Sequence, residues 1–234
     1  MLVYVKKGKQ NSQIIMEIKQ IQVYLKSSDS QERLKALTEL RNYESEIVVP
    51  LLKTRQQDPE FLVRSFVAMG LGNKRTPEGF KILLEMMQND PDYNVRAEAA
   101  NSLSKFGAQA IPFLVEKFRQ DNNWLMRRSI LAPLIDMPFP EALYEVCMCA
   151  IADEDTTVQE VAISALGKLA GTKKETEALQ KLLAFVSAES WNIRLRAAQG
   201  LGKFDVPQAK AALNYLSKDD NYKVVAAALE SSLS

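Results

Sequence analysis

The chain has 234 residues, with 30 lysines and arginines against 29 aspartates and glutamates, so its formal net charge is +1. A balance this even provides no overall positive field to draw the chain onto nucleic acid or an anionic membrane. Histidine is absent, which excludes triads with an imidazole base, histidine-ligated metal sites and histidine pH switches.

The first residues place lysines after a short apolar stretch, the reverse of a secretory signal. We predict a flexible N-terminal arm over residues 1–12 and a single repeat domain over residues 13–234. No run of about 18 apolar residues occurs, so no integral membrane segment is expected. Cys147 and Cys149 are too close in sequence for an unstrained disulfide. Their presence in an apolar run favours a reducing compartment, the cytoplasm or the plastid stroma.

Internal repeats dominate the sequence from the first predicted helix onward. One position, which we call the arginine column, recurs at intervals of 31, 32, 31, 32, 35 and 31 residues. A small or apolar residue follows it by three positions throughout, and leucine follows by seven positions in the first six repeats. The column comprises Arg33, Arg64, Arg96, Arg127, Gln159, Arg194 and Val225.

Each repeat contains two helical patterns and none typical of a strand. In the third repeat, for example, Val95, Ala99 and Leu103 share one helix face. With residues 13–27 counted as the first helix, the sequence predicts seven helix pairs. Because single pairs of this size cannot bury a core alone, they are expected to stack into an all-α solenoid. The interval of 35 predicts an insertion around residues 173–176.

Several segments resemble HEAT repeats, and more narrowly the phycobilisome-lyase type, whose core reads V-R-x-x-A-x-x-x-L with a period near 31. The segments are Val63-Arg64, Val95-Arg96-Ala97-Glu98-Ala99-Ala100 and Ile193-Arg194-Leu195-Arg196-Ala197-Ala198. The resemblance covers about residues 13–232 and departs from the pattern at Glu32, Gln159 and Val225. It implies an α–α superhelix. Proteins similar to this one act on phycobiliproteins in cyanobacteria and plastids, in phycobilisome turnover or as subunits of bilin lyases.

An acidic residue stands in most loops before the second helix of a pair. Such a carboxylate can cap the helix or meet a guanidinium of the arginine column. We predict that the two sets form a structural ladder of charge-assisted hydrogen bonds between repeats. The acidic residues are Asp58, Asp90, Asp121, Asp153 and Asp219.

Aromatic residues occupy the position three before the arginine column in five repeats, and Thr156 occupies it in a sixth. These rings could fill grooves between repeats or anchor a partner protein. We predict a mixed outcome, with Trp124 and Trp191 partly exposed. Two arginines on the second helices join them as candidates. The predicted partner-binding set is Phe61, Tyr93, Trp124, Arg128, Trp191, Arg196 and Tyr222.

Three functions remain open at this point. The resemblance and the absence of a distinguished catalytic pattern favour a non-catalytic scaffold that binds phycobiliprotein subunits in phycobilisome assembly or degradation. This function needs no metal or cofactor and involves no nucleic acid. The second is a subunit of a bilin lyase or isomerase, in which a carboxylate would pair with the pyrrole nitrogens of a bilin. The third is an adaptor for an unrelated protein.

Overall fold

Helices form the regular structure of residues 16–233, the part of the chain that our computed structural model describes, and no strand occurs among them. The predicted arm over residues 1–12 lies outside the described residues. The helices are α1 Ile18–Leu25, α2 Ser30–Glu39, α3 Ser45–Lys53, α4 Phe61–Lys74, α5 Pro77–Asn89, α6 Tyr93–Ser104, α7 Ile111–Gln120, α8 Trp124–Leu134, α9 Pro140–Ile151, α10 Thr156–Ala165, α11 Glu175–Ala184, α12 Trp191–Leu201, α13 Pro207–Leu216 and α14 Tyr222–Ser232.

The prediction of seven helix pairs is confirmed, with the odd-numbered helices as first members and the even-numbered ones as second members. The predicted extent of the first helix, residues 13–27, is wrong. Glu17 has an extended backbone (φ −63°, ψ 147°), so α1 begins at Ile18, and it ends at Leu25. The extra residues of the long interval lie in the connection between α10 and α11, which contains a 3₁₀ turn at Leu166–Leu169.

Consecutive second helices pack on one another through small side chains, and one hydrophobic core runs from Ile21 to Ala228. The closest approaches occur at glycines. A Cβ atom built on Gly72 would lie 2.5 Å from Cβ of Ser102, and one on Gly202 would lie 2.5 Å from Cβ of Ser231. Because real Cβ atoms do not approach this closely, the two steps between repeats require glycine at these positions.

Three of the first helices of the pairs begin with proline. Pro77, Pro140 and Pro207 are the first residues of α5, α9 and α13, where the missing N–H costs no helical hydrogen bond. Pro50 and Pro133 lie inside α3 and α8.

The predicted charge ladder is confirmed at four steps between repeats. Arg64 is typical: its Nε and Nη2 donate to the two carboxylate oxygens of Asp90 at 2.8 and 2.9 Å, and its Nη1 donates to the backbone carbonyl of Asp58 at 2.8 Å. The hydrogen bond to Asp90 is the main reason that the pKa of Arg64 is raised. Each guanidinium therefore holds its own loop and the loop of the next repeat. The four pairs are Arg33–Asp58, Arg64–Asp90, Arg127–Asp153 and Arg194–Asp219.

Two steps lack this pair. Arg96 donates to the backbone carbonyls of Asp90 and Pro91, while Asp121 pairs with Lys117 at 3.1 Å. At the second of these steps, two repeats further along the chain, Gln159 donates to the backbone carbonyl of Asp153 in its own loop. The position that would supply its carboxylate partner, 29 residues later by sequence, is Ala188. Both members of the charge pair are therefore replaced by neutral residues at the repeat with the insertion.

The Arg194–Asp219 pair makes stability at this end of the stack depend on pH. The Arg194 hydrogen bond lowers the pKa of Asp219 most, with burial opposing it. A carboxyl group whose pKa is lower in the folded chain than in the unfolded chain stabilises the fold at pH values above its ordinary pKa of about 4. This stabilisation is lost as the pH falls through the folded-state pKa. We expect Asp219→Asn to be less stable than the wild type at pH 7, with the difference shrinking below about pH 4. Urea unfolding across this pH range measures it, and a constant difference would contradict the assignment.

Candidate protein-binding surface

The aromatic residues of the repeat pattern all occupy the first residue of a second helix. We call Phe61, Tyr93, Trp124, Trp191 and Tyr222 the aromatic row. The same position in successive repeats lies along one edge of the stack, because each second helix packs on the next. Thr156, which is exposed, interrupts the row at α10.

Most of the row faces solvent. Phe61 is 37% exposed, Trp124 49%, Tyr93 50% and Tyr222 76%. Aromatic side chains usually bury most of their area in a monomer, and tyrosine and tryptophan are enriched where partners bind. These four rings are therefore available as anchors for another protein.

Trp191 differs from the other members of the row. It is partly buried against the core, and the ammonium of Lys223 from the next repeat lies 4.8 Å from its ring centroid. A cation over an aromatic face stabilises both side chains. The prediction that both tryptophans are partly exposed is confirmed. Trp191 also joins two repeats through its contact with Lys223. Truncating it would disturb the stack as well as the surface.

The two predicted arginines have different environments. Arg128 is exposed and lies one helical turn after Trp124, so the two side chains share a face of α8. Arg196 instead donates to Glu160 Oε2 at 3.2 and 3.1 Å and to Gln199 Oε1 at 3.1 Å. This pair links α12 to α10 beside the position where the ladder lacks its charges. Arg196 thus bridges two repeats, a role that the sequence pattern did not predict.

Several exposed apolar residues of the second helices were missed by sequence reasoning. Leu62 follows Phe61 directly and is 46% exposed, and Val161 on α10 is 37% exposed. Neither residue belongs to a column that is apolar in every repeat, so no periodic signal marks them. Together with Met69, at 39%, they extend the apolar character of the second helices beyond the aromatic row.

No catalytic constellation stands out among residues 16–233. That part of the chain contains no group of three or more histidine, cysteine, aspartate or glutamate side chains placed to hold a metal. Cys147 is buried and burial raises the pKa of its thiol to about 12, while Cys149 is half-buried. Within the same residues, no helix is long and apolar enough to cross a membrane.

Comparisons with known proteins agree with this geometry. A family model for HEAT repeats matches residues 48–135 and 141–234. The bilin biosynthesis protein PecF of Nostoc sp. (strain PCC 7120) is 30% identical over 149 residues, which cover 60% of this chain and 86% of PecF.

Two solved structures show the same fold at low sequence identity. One is a chain in the complex of CpcE and CpcF of phycocyanin lyase from Nostoc sp. PCC7120, with a TM-score of 0.54, 19% identity and coverage of 99% of this chain and 92% of that one. The other is YibA of E. coli, with a TM-score of 0.59, 16% identity and coverage of 97% and 98%.

Proposed function

Because the chain belongs to the HEAT-repeat family and is related to PecF over most of that protein, we propose that it is a scaffold that binds a phycobiliprotein subunit. The observation that carries the proposal is the exposed aromatic row, which repeats along one edge of the stack. The relation to PecF supplies the class of partner, since PecF is a bilin biosynthesis protein. Assembly and degradation of phycobilisomes are the processes in which such a scaffold would act.

The chemistry of the row suits a protein surface better than a phosphate backbone. Trp124 and Tyr93 are half exposed and amphipathic, and Arg128 lies beside Trp124 with its charge in solvent. Interface hot spots favour tryptophan, tyrosine and arginine, and they lie near the centre of the contact. The middle of the row, at α6 and α8, is therefore where we place the strongest contacts. Phycobiliproteins would meet the scaffold in the cytoplasm or the plastid stroma.

We expect Trp124→Ala to weaken binding of a purified phycobiliprotein subunit by about 2 kcal/mol, roughly thirtyfold in the dissociation constant. The ring is half exposed, so its loss should leave the helix content unchanged. Isothermal titration calorimetry with the apo and the pigmented subunit measures the effect, and circular dichroism checks the fold.

Tyr215→Ala is the matched control, because Tyr215 is 64% exposed but lies on α13, a first helix outside the aromatic row. It should bind as the wild type does. Binding that is equally weakened by both variants would contradict the placement of the site on the row. No binding of any phycobiliprotein subunit by the wild type would contradict the proposed function itself.

A second candidate is a subunit of a bilin lyase or isomerase, and the relation to PecF favours it. The bilin would then be the substrate, and the chain would require no resident cofactor. Adding a phycobilin and a second lyase-type subunit to the same titration distinguishes the candidates. A change in bilin absorbance that requires this chain supports the lyase, whereas binding of the phycobiliprotein subunit without such a change supports the scaffold. Capture of only unrelated proteins from the native host would favour a general adaptor.

A further inference from the structure

We propose that the partner of the aromatic row presents lysine or arginine side chains, which stack on the rings of Phe61 and Tyr93. This inference rests on the proposed function, because it concerns the protein that binds the same row. Its starting point is Trp191, the ring of the row that already holds a cation: the ammonium of Lys223 lies 4.8 Å from the ring centroid. A cation within about 6 Å of a ring centroid is attracted by the negative face of the ring. The row therefore contains one example of this contact within the chain itself.

The contact at Trp191 follows the register of the repeats. Trp191 is the first residue of α12, and Lys223 is the second residue of α14, the second helix of the next repeat. For the rings of α4 and α6, the residues that correspond to Lys223 are Asn94 and Leu125. Neither of these side chains is charged, and no lysine or arginine among residues 16–233 lies over either ring. The exposed area of both rings is therefore available to a cation from another protein.

Carboxylates beside the two rings favour a cation over an apolar or acidic side chain. Glu60 directly precedes Phe61 and is exposed, and Asp92 directly precedes Tyr93 and is half-buried. Neither carboxylate forms an ion pair with a lysine or arginine of residues 16–233. Both also offset the partial positive charge at the first turn of their helices. A ring face and a nearby carboxylate attract the same ligand, a lysine ammonium or an arginine guanidinium.

The arginines that lie nearest to these rings in sequence are engaged elsewhere. Arg64 donates to the carboxylate of Asp90 and to the carbonyls of its own loop. Arg96 donates to the backbone carbonyls of Asp90 and Pro91. Both guanidinium groups are therefore held by the loops that precede α4 and α6, and neither of them lies over a ring of the row.

Trp124 does not share this preference for a cation. The residue before it is the neutral Asn123, and the exposed Arg128 lies one helical turn after it. A cation of the partner placed over Trp124 would be repelled by that guanidinium. Trp124 therefore acts as an apolar anchor, while the rings of α4 and α6 select the charge of the partner.

Fluorination of the ring at position 93 tests the contact while its size and apolar character stay nearly constant. Because fluorine withdraws electrons from the ring face, it weakens the attraction for a cation. We expect a chain with trifluorophenylalanine in place of Tyr93 to bind a purified phycobiliprotein subunit about fivefold more weakly than a chain with phenylalanine there. The same two residues in place of Tyr215 are the matched control and should give equal dissociation constants. Equal binding by the two rings at position 93 would show that an apolar contact is sufficient, and would overturn the proposal.

A charge variant tests the carboxylate beside the same ring. Asp92→Asn removes the charge but can still accept the hydrogen bond from the backbone N–H of Asn94. We expect it to weaken binding of the subunit about threefold at low salt and to reduce the dependence of the dissociation constant on salt. Asp136→Asn makes the same change in the exposed loop between α8 and α9, and it should bind as the wild type does. Equal effects of the two variants on binding would contradict the proposed charge of the partner.

A lysine-rich peptide tests the contact without any phycobiliprotein. With fluorotyrosine incorporated in the full chain, fluorine NMR reports on Tyr93 and Tyr215, whose signals are assigned from Tyr93→Phe and Tyr215→Phe. We expect the lysine-rich peptide to shift the Tyr93 signal more than the Tyr215 signal, and a glutamate-rich peptide to shift neither. This result together with no binding of a phycobiliprotein subunit would contradict the proposed function alone. If the lysine-rich peptide shifted neither signal, or both equally, the inference would be overturned even where the subunit binds.

Discussion

Replacing Ala99 with aspartate will cost about 4 kcal/mol or more of the free energy of unfolding, which is the largest effect we expect from a single substitution. Ala99 lies in α6 and is fully buried. A carboxylate there would lose its hydration and find no partner among the surrounding apolar side chains. Because each repeat is stabilised by its neighbours, the damage should spread to the adjacent helix pairs.

The measurement is urea unfolding followed by circular dichroism, with hydrogen exchange to locate the opened repeats. Ala211→Asp introduces the same charge at an exposed position of α13, so we expect it to change the unfolding free energy by no more than about 0.5 kcal/mol. If Ala99→Asp unfolded at the wild-type urea concentration, the register assigned to the repeats would be wrong.

Replacing Asp90 with asparagine will cost about 3 kcal/mol, because it removes the charged partner of a buried guanidinium. The side chains of Arg64 and Asp90 are 10% and 5% exposed. Asparagine can still accept the hydrogen bond that Asp90 Oδ1 receives from the backbone N–H of Asp92. The loss therefore reports the charge pair rather than the shape of the loop.

Two further variants make this prediction specific. Asp136→Asn breaks an ion pair with Lys168 whose side chains are 79% and 54% exposed, and it should have a much smaller effect on unfolding. Arg64→Met in the Asp90→Asn background removes the unpaired charge and should recover part of the lost stability. Equal losses for Asp90→Asn and Asp136→Asn would show that the ladder does not carry stability between repeats.

The sequence alone was sufficient to predict the helix pairs and the ladder because both depend on residues at a fixed spacing. A period near 31 places each second helix on the next, and this brings Arg64 to Asp90 without any knowledge of coordinates. The same reasoning failed for Arg96 and Asp121. There the carboxylate has a competing cation, Lys117, one helical turn before it on α7. The choice between two nearby partners depends on side-chain geometry, which spacing does not determine.

Exposure along the aromatic row was only partly predictable. Every ring occupies the same position in its helix, yet Trp191 is partly buried and Tyr222 is 76% exposed. Trp191 is covered because Lys223 from the next repeat lies over it. The link between Arg196 and Glu160 was missed because no other repeat has an acidic residue and an arginine at these two positions, so no periodic signal marks the pair.

The central claim is that the aromatic row contacts a phycobiliprotein, and site-specific photo-cross-linking tests it most directly. A photoreactive phenylalanine analogue is placed at Tyr93 in one sample and at Tyr215, outside the row, in another, and each is irradiated with a purified phycobiliprotein subunit. We predict a covalent adduct with the subunit from position 93 and none from position 215. An adduct that forms from position 215 but not from position 93 would contradict the claim.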